Sequence, residues 1–174
     1  MKYAMLSFLL VVTSFALWRY FHRPVATGEK FAVSMSEAEW KARLEPMQFR
    51  VLRKHATERA FTGSLYDKKE AGRYYCAGCH QELFTSKEKF HSGTGWPSFW
   101  APATPGAVGR THDYSLMIPR VEVHCSRCGG HLGHVFTDGP KPTGLRYCIN
   151  SAALTFEPAG ETPTSDSVSP PSAR

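Results

Sequence analysis

Val121-Glu122-Val123-His124-Cys125-Ser126-Arg127-Cys128 joins a strand pattern to a metal-binding pattern. Val121 and Val123 alternate with Glu122 and His124, the period-two signature of a strand with one buried face. The strand runs into a C-x-x-C knuckle, with Gly129 and Gly130 directly after it. The same arrangement occurs upstream, where Tyr75-Cys76-Ala77-Gly78-Cys79 ends another strand-like stretch. Two thiolates so spaced grip one ion from a tight turn, and two knuckles complete the tetrahedral set that zinc prefers. Four thiolates leave no open position, so a zinc ion on Cys76, Cys79, Cys125 and Cys128 would be structural. It would clip the chain across about 45 intervening residues, where a cross-link removes much loop entropy. Vicinal disulfides or redox pairs are the rival reading. His80 and His124 adjoin the knuckles and read as polar neighbours.

Working outward, the chain from Phe61 to Phe156 has short runs, frequent glycine and proline, and alternating β-favouring residues such as Leu145 through Phe156. This pattern indicates an antiparallel sheet protein. Ahead of it, Ser36-Glu37-Ala38-Glu39 has the S-x-x-E form of a capping box. The helix it opens should run to about Leu44, with Trp40 and Leu44 on one face. Pro46 stops it and suits the first turn of a second helix, reaching about His55 through Phe49, Leu52 and Arg53. The segments divide as residues 1–24, an N-terminal signal peptide or membrane anchor; 25–35, a linker; 36–158, a catalytic domain; and 159–174, a Ser/Thr/Pro-rich tail expected to be disordered.

The 174 residues, 42% of them apolar, are enough for one domain with a real core. The net charge of +6 comes from scattered Lys and Arg without a dense basic block, and no nucleic-acid surface is expected. Met1-Lys2 precedes an uncharged run from Tyr3 to Trp18, shorter than the roughly 20 residues of a straight bilayer-spanning helix. Trp18, Arg19, Tyr20 and Phe21 suit a membrane interface, and Ser14 and Ala16 suit a cleavage site. An extracytoplasmic protein, anchored or exported, is expected. A mitochondrial location is the alternative, weakened by the poverty of the segment in arginine.

The fifth cysteine lies in Arg146-Tyr147-Cys148-Ile149-Asn150. Strand alternation puts Arg146, Cys148 and Asn150 on one face, and Tyr147 and Ile149 on the other. A neighbouring cation favours the nucleophilic thiolate. A small buried hydrophobe is the competing reading of such a cysteine. His131 and His134, among glycines, could supply general acid and base near neutral pH. A second metal site, or hydrogen bonding to Asp138, would also explain them. Ser92-Gly93-Thr94-Gly95-Trp96-Pro97-Ser98-Phe99-Trp100 could wall a sulfur- or methyl-bearing ligand, with Phe99 and Trp100 read as core.

Together these stretches resemble the methionine-R-sulfoxide reductase B (MsrB) family: Tyr75 to Cys79, Ser92 to Phe99 around Gly95-Trp96-Pro97, Cys125 to Pro140 around Gly-His-Leu-Gly-His, and Arg146 to Asn150. The resemblance implies a mainly β domain of two antiparallel sheets with short N-terminal helices. It implies reduction of methionine-R-sulfoxide, free or in oxidised proteins. Cys148 then corresponds to the nucleophile, and Trp96 to the residue that holds the substrate methyl. His131, His134 and Asn150 surround the sulfoxide oxygen, Arg146 supports the thiolate, and the four knuckle cysteines hold zinc. Many members carry a resolving cysteine where this chain has Thr94. A one-cysteine cycle follows, in which thioredoxin or another thiol donor reduces the Cys148 sulfenic acid.

Overall fold

The computed structural model describes residues 31–115 and 118–160. The N-terminal signal or anchor, the linker up to residue 30 and the tail from residue 161 lie outside the described residues. Among the described residues, no helix is long and apolar enough to cross a membrane.

Among the described residues, two helices come first. In α1 (Glu37–Arg43) the Ser36 hydroxyl accepts from the Glu39 amide, and the Glu39 carboxylate accepts from the Ser36 amide. This reciprocal cap is the one expected from the sequence. Leu44 leaves helical geometry and Pro46 starts α2 (Pro46–Lys54). His55 ends α2 in a left-handed conformation, φ 53°, and the Ala56 amide closes on the Arg50 carbonyl at 3.1 Å. Trp40, Leu44, Phe49, Val51 and Leu52 bury their side chains in the core.

Nine strands follow: β1 (Gly72–Cys76), β2 (Glu82–Thr85), β3 (Lys89–Phe90), β4 (Ser98–Phe99), β5 (Val108–Asp113), β6 (Arg120–Cys125), β7 (His131–Phe136), β8 (Arg146–Ile149) and β9 (Leu154–Pro158). They form two antiparallel sheets, β2-β1-β9 and β3-β4-β8-β7-β6-β5. Aromatic residues from both sheets meet in the core. Phe84 of β2 stacks on Phe99 of β4 at 4.3 Å, and Tyr74 of β1 meets Phe99 edge-on at 5.0 Å. Phe99 is therefore core, as the sequence reading had it.

The larger sheet sets the chemistry through its register. Ser98 pairs with Cys148, Cys148 with His134, His134 with Glu122, and Glu122 with Thr111. Cross-strand partners share a face, so these residues form one row. One step along, Arg146 pairs with Phe136, and Arg120 with Asp113. Tyr147 and Ile149 point into the core, so the expected alternation of β8 holds. A one-residue slip would bury Cys148 in their place. At Gly133 the backbones of β7 and β8 touch: a Cβ there would lie 2.1 Å from the Cys148 carbonyl oxygen. Only glycine permits that approach. The register shift between Val123 and His124 lets His131 share the polar face with His134, despite their odd spacing.

Phe99→Ala should lower stability by about 3–5 kcal/mol, because its cavity lies between two rigid aromatic layers. Urea unfolding measures this, and a loss below about 1 kcal/mol would show that the sheets do not depend on that contact.

Candidate active site

Cys148 opens onto a cavity of about 130 Å³ lined by Thr57, Trp96, Arg120, Gly133, His134, Phe136 and Asn150. A surface cleft of about 440 Å³ lies elsewhere and one of about 710 Å³ adjoins the cavity, sharing Arg120 and Phe136 with it; neither contains a cysteine. Thr94 supplies a hydroxyl 3.8 Å from Cys148 Sγ, in a hydroxyl chain with Ser92 and Ser98. Burial pushes the Cys148 thiol up, and the opposing pull of Thr94 and Arg146 does not overcome it. The resting group is therefore a thiol. Arg146 is largely engaged elsewhere: it grips Asp138 with two hydrogen bonds, 2.9 and 2.8 Å, and stacks over Phe136. Asp138 thus serves Arg146 and not the histidines.

Each histidine is oriented by its own carboxylate. His134, opposite Cys148, places Nε2 2.8 Å from Asp113 Oδ2. Asp113 also accepts from Arg120 and the Ser115 amide, and hydrogen bonds from Ser115, His134 and Arg120 hold its carboxyl well below the usual range. Burial pushes His134 down despite this partner, which keeps its ring neutral at pH 7. A neutral imidazole facing a thiol is placed to take its proton. His131 is buried, and its Nδ1 lies 2.6 Å from Glu122 Oε1. Its Nε2 is buried with no hydrogen-bond partner among the described residues. His131 does not line the cavity, and its ring meets that of His134 edge-on at 5.5 Å.

Asn150 and Trp96 are held by one hidden residue. The Asn150 carbonyl oxygen accepts from the Glu58 amide at 2.9 Å, and its Nδ2 donates to the Leu132 carbonyl at 2.9 Å. Trp96 Nε1 donates to the Glu58 carbonyl at 3.1 Å. The buried Glu58 carboxylate then accepts from the Ser151 and Ala152 amides, 2.5 and 2.9 Å away, at the start of the 3₁₀ turn Ser151–Ala153. Sequence reasoning passed over Glu58, Asp113, Glu122 and Arg120. Glu122 carried a partial signal, since it alternates with the buried face of β6.

The four knuckle cysteines converge where β1 and β6 end, one strand from each sheet. All four are buried and reduced. Their sulfur atoms all lie within 4.8 Å of one another, with Cys76–Cys128 at 3.7 Å and Cys79–Cys125 at 3.5 Å. Sulfurs bound at about 2.3 Å around a tetrahedral ion stand about 3.8 Å apart. The residues therefore fit zinc, which would join the two sheets and supply no chemistry to Cys148. Neighbouring thiols, Cys125 foremost, with the Gly130 amide, hold the Cys128 thiol well below its ordinary value. Arg53 donates to the Cys128 carbonyl and lies 3.6 Å from its sulfur. His80 and His124 stay outside this set: His80 pairs with Glu157, and His124 packs against Phe31.

A thiol facing a carboxylate-oriented histidine in a β scaffold defines a thiol-dependent enzyme site, and comparison with known proteins narrows it. The SelR domain family matches residues 44–158. A protein of Leptospira interrogans named peptide methionine sulfoxide reductase MsrB is 54% identical over 127 residues, which cover 73% of this chain and 97% of that protein. Proteins of the same name from Methanosarcina barkeri and Agrobacterium fabrum are 58% and 52% identical over 126 residues, covering 72% of this chain and 89% and 93% of theirs. The chain belongs to the MsrB family.

The shared carboxylate predicts a pH signature. Burial raises Glu122, but hydrogen bonds from His131 and His55 outweigh it and hold the group at about 2, below its ordinary 4.5. That stabilisation is full above pH 4.5 and is lost as pH falls toward 2. His55 is raised above 6.5, first by its hydrogen bond to Glu122, so its share is present below pH 6.5 and lost as pH rises through the folded value. The stability gap between wild type and Glu122→Gln, read by urea unfolding, should be widest between about pH 4.5 and 6.5. A gap that is flat down to about pH 2 contradicts the assignment.

Proposed function

We propose that this oxidoreductase reduces the R epimer of methionine sulfoxide to methionine, in oxidised proteins or as the free amino acid. The observation that carries the reading is the single thiol outside the four-sulfur cluster, set opposite His134 in a cavity walled by Trp96. The substrate methyl rests against the Trp96 ring, where sulfur- and methyl-bearing groups gain from the aromatic face. His134 takes the Cys148 proton, and Sγ attacks the sulfoxide sulfur. The proton passes to the sulfoxide oxygen, the oxygen moves to Cys148, and methionine leaves. The balance is thiol plus sulfoxide giving sulfenic acid plus thioether, with no further reactant. Asn150 and Glu58 keep the cavity's walls in place, and His131, which does not reach the cavity, would exchange protons with it only by way of the His134 ring.

Turnover then needs an outside thiol. It attacks the Cys148 sulfenic acid, releasing water and leaving a mixed disulfide, which a second thiol resolves. Thr94 offers a hydroxyl where a resolving cysteine would stand, and the four other cysteines are grouped for zinc. Thioredoxin or another small thiol protein fits the role of donor. The apolar run from Tyr3 to Trp18 supports an extracytoplasmic setting at or beyond a membrane. The reductant would then have to be delivered there.

The test is turnover of dabsyl-methionine-R-sulfoxide and its S epimer with dithiothreitol, with zinc measured on the same sample. Wild type should carry one zinc and reduce only the R epimer, and Cys148→Ser should lose at least about a thousandfold in rate. Activity that survives Cys148→Ser refutes the mechanism, and equal rates on both epimers refute the substrate assignment.

A further inference from the structure

A second group of metal-type ligands converges beside the cavity from three elements. His55 ends α2, Glu122 stands in β6 and His131 begins β7. Glu122 Oε1 is 2.9 Å from His55 Nδ1 and 2.6 Å from His131 Nδ1, and the three ligand atoms all lie within 4.8 Å of one another. We propose that His55, Glu122 and His131 form a binding site for a borderline divalent cation such as Zn²⁺, distinct from the four-cysteine cluster, and that filling it inhibits the enzyme.

The donor chemistry comes first. Two imidazoles and a carboxylate suit zinc, cobalt, nickel and copper, whereas the knuckles offer only soft thiolates. Ligands bound at about 2.1 Å around a tetrahedral ion stand about 3.4 Å apart, so the two separations seen, 2.9 and 2.6 Å, would each have to open by less than about 1 Å. That opening exchanges the shared protons for an ion. Three protein ligands leave room for water, unlike the closed thiolate set.

The supports are fixed on one side and open on the other. The His131 side chain is only 3% exposed, and Glu122 is 16% exposed on β6, which is paired on both sides by β5 and β7. His55 is 64% exposed, but its left-handed backbone at the helix end is pinned by the Ala56–Arg50 hydrogen bond. An ion can thus enter and leave past His55 while the other two ligands stay in place. Metal on Nδ1 would fix the proton of His131 on Nε2 and remove that ring from proton exchange, 5.5 Å from the ring of His134. The inhibitory half rests on the reductase reading given above, and the binding half does not.

A hydrogen-bonded network of the same three residues is the rival reading, and added metal separates the two. Full-length, zinc-loaded protein is titrated with Co²⁺ without substrate. One further equivalent should bind, with weak visible bands and none of the intense sulfur-to-cobalt absorption that cysteine ligation gives. In a single-turnover assay without thiol reductant, added Zn²⁺ should slow sulfoxide reduction at least tenfold. In His55→Ala, the extra equivalent and the inhibition should both vanish, while the rate without added metal stays at the wild-type value. The proposal falls if no second equivalent binds, if it persists in His55→Ala, or if it carries the sulfur band. Inhibition that survives in His55→Ala places the ion elsewhere and overturns the regulatory claim. Because metal is counted without substrate, a failure of binding is read apart from a failure of the reductase assignment.

Discussion

Glu58 is a buried carboxylate between three segments that must not move relative to one another. Its amide donates to Asn150, its carbonyl accepts from Trp96, and its side chain accepts from the Ser151 and Ala152 amides. A carboxylate so placed is costly unless its oxygens are satisfied, and amides at the start of a turn satisfy them. Gly63 lets the loop close over it, since a Cβ there would lie 2.7 Å from Glu58 Oε1. The loop after α2, the Gly95-Trp96-Pro97 loop and the exit of β8 are thereby locked together. The Trp96 wall, the Cys148 thiol and the Asn150 amide inherit their relative positions from this lock.

Within that frame, the sheet supplies the electrostatics. Cys148 is raised by burial, while the cation beside it is shared with Asp138. The thiol rests protonated, and the strand register sets the neutral His134 ring directly across the ladder from it. Asp113 and Arg120 orient His134 without protonating it, because burial of the ring outweighs the carboxylate. The same sheet gives His131 a different carboxylate, Glu122, shared with His55, and so two histidines of one motif have different surroundings.

Much of this was legible in the sequence because it depends on local spacing. The capping box at Ser36 and Glu39, Pro46 at the second helix, the paired knuckles and the alternation of Arg146, Cys148 and Asn150 all act over a few residues. What escaped depends on pairing between distant strands. Asp113 lies 21 residues from His134, and Glu58 lies 93 from Ser151, and no local pattern connects them. The odd spacing of His131 and His134 hid their common face, which needs the shift at Val123 and His124. Arg146 pulls the Cys148 thiol down and also grips Asp138 across the turn between β7 and β8, a second engagement that strand alternation does not show.

The central claim is that one sulfur, Cys148, takes the substrate's oxygen and has no internal partner to resolve it. Oxidation of the zinc-loaded protein with one equivalent of methionine-R-sulfoxide, without reductant and with dimedone present, tests this most directly. The account predicts one methionine released per chain, a dimedone adduct on Cys148 in the peptide mass map, and the four knuckle cysteines unmodified. Methionine released with Cys148 in a disulfide to a cysteine of the same chain, or with Cys148 unmodified, would contradict it.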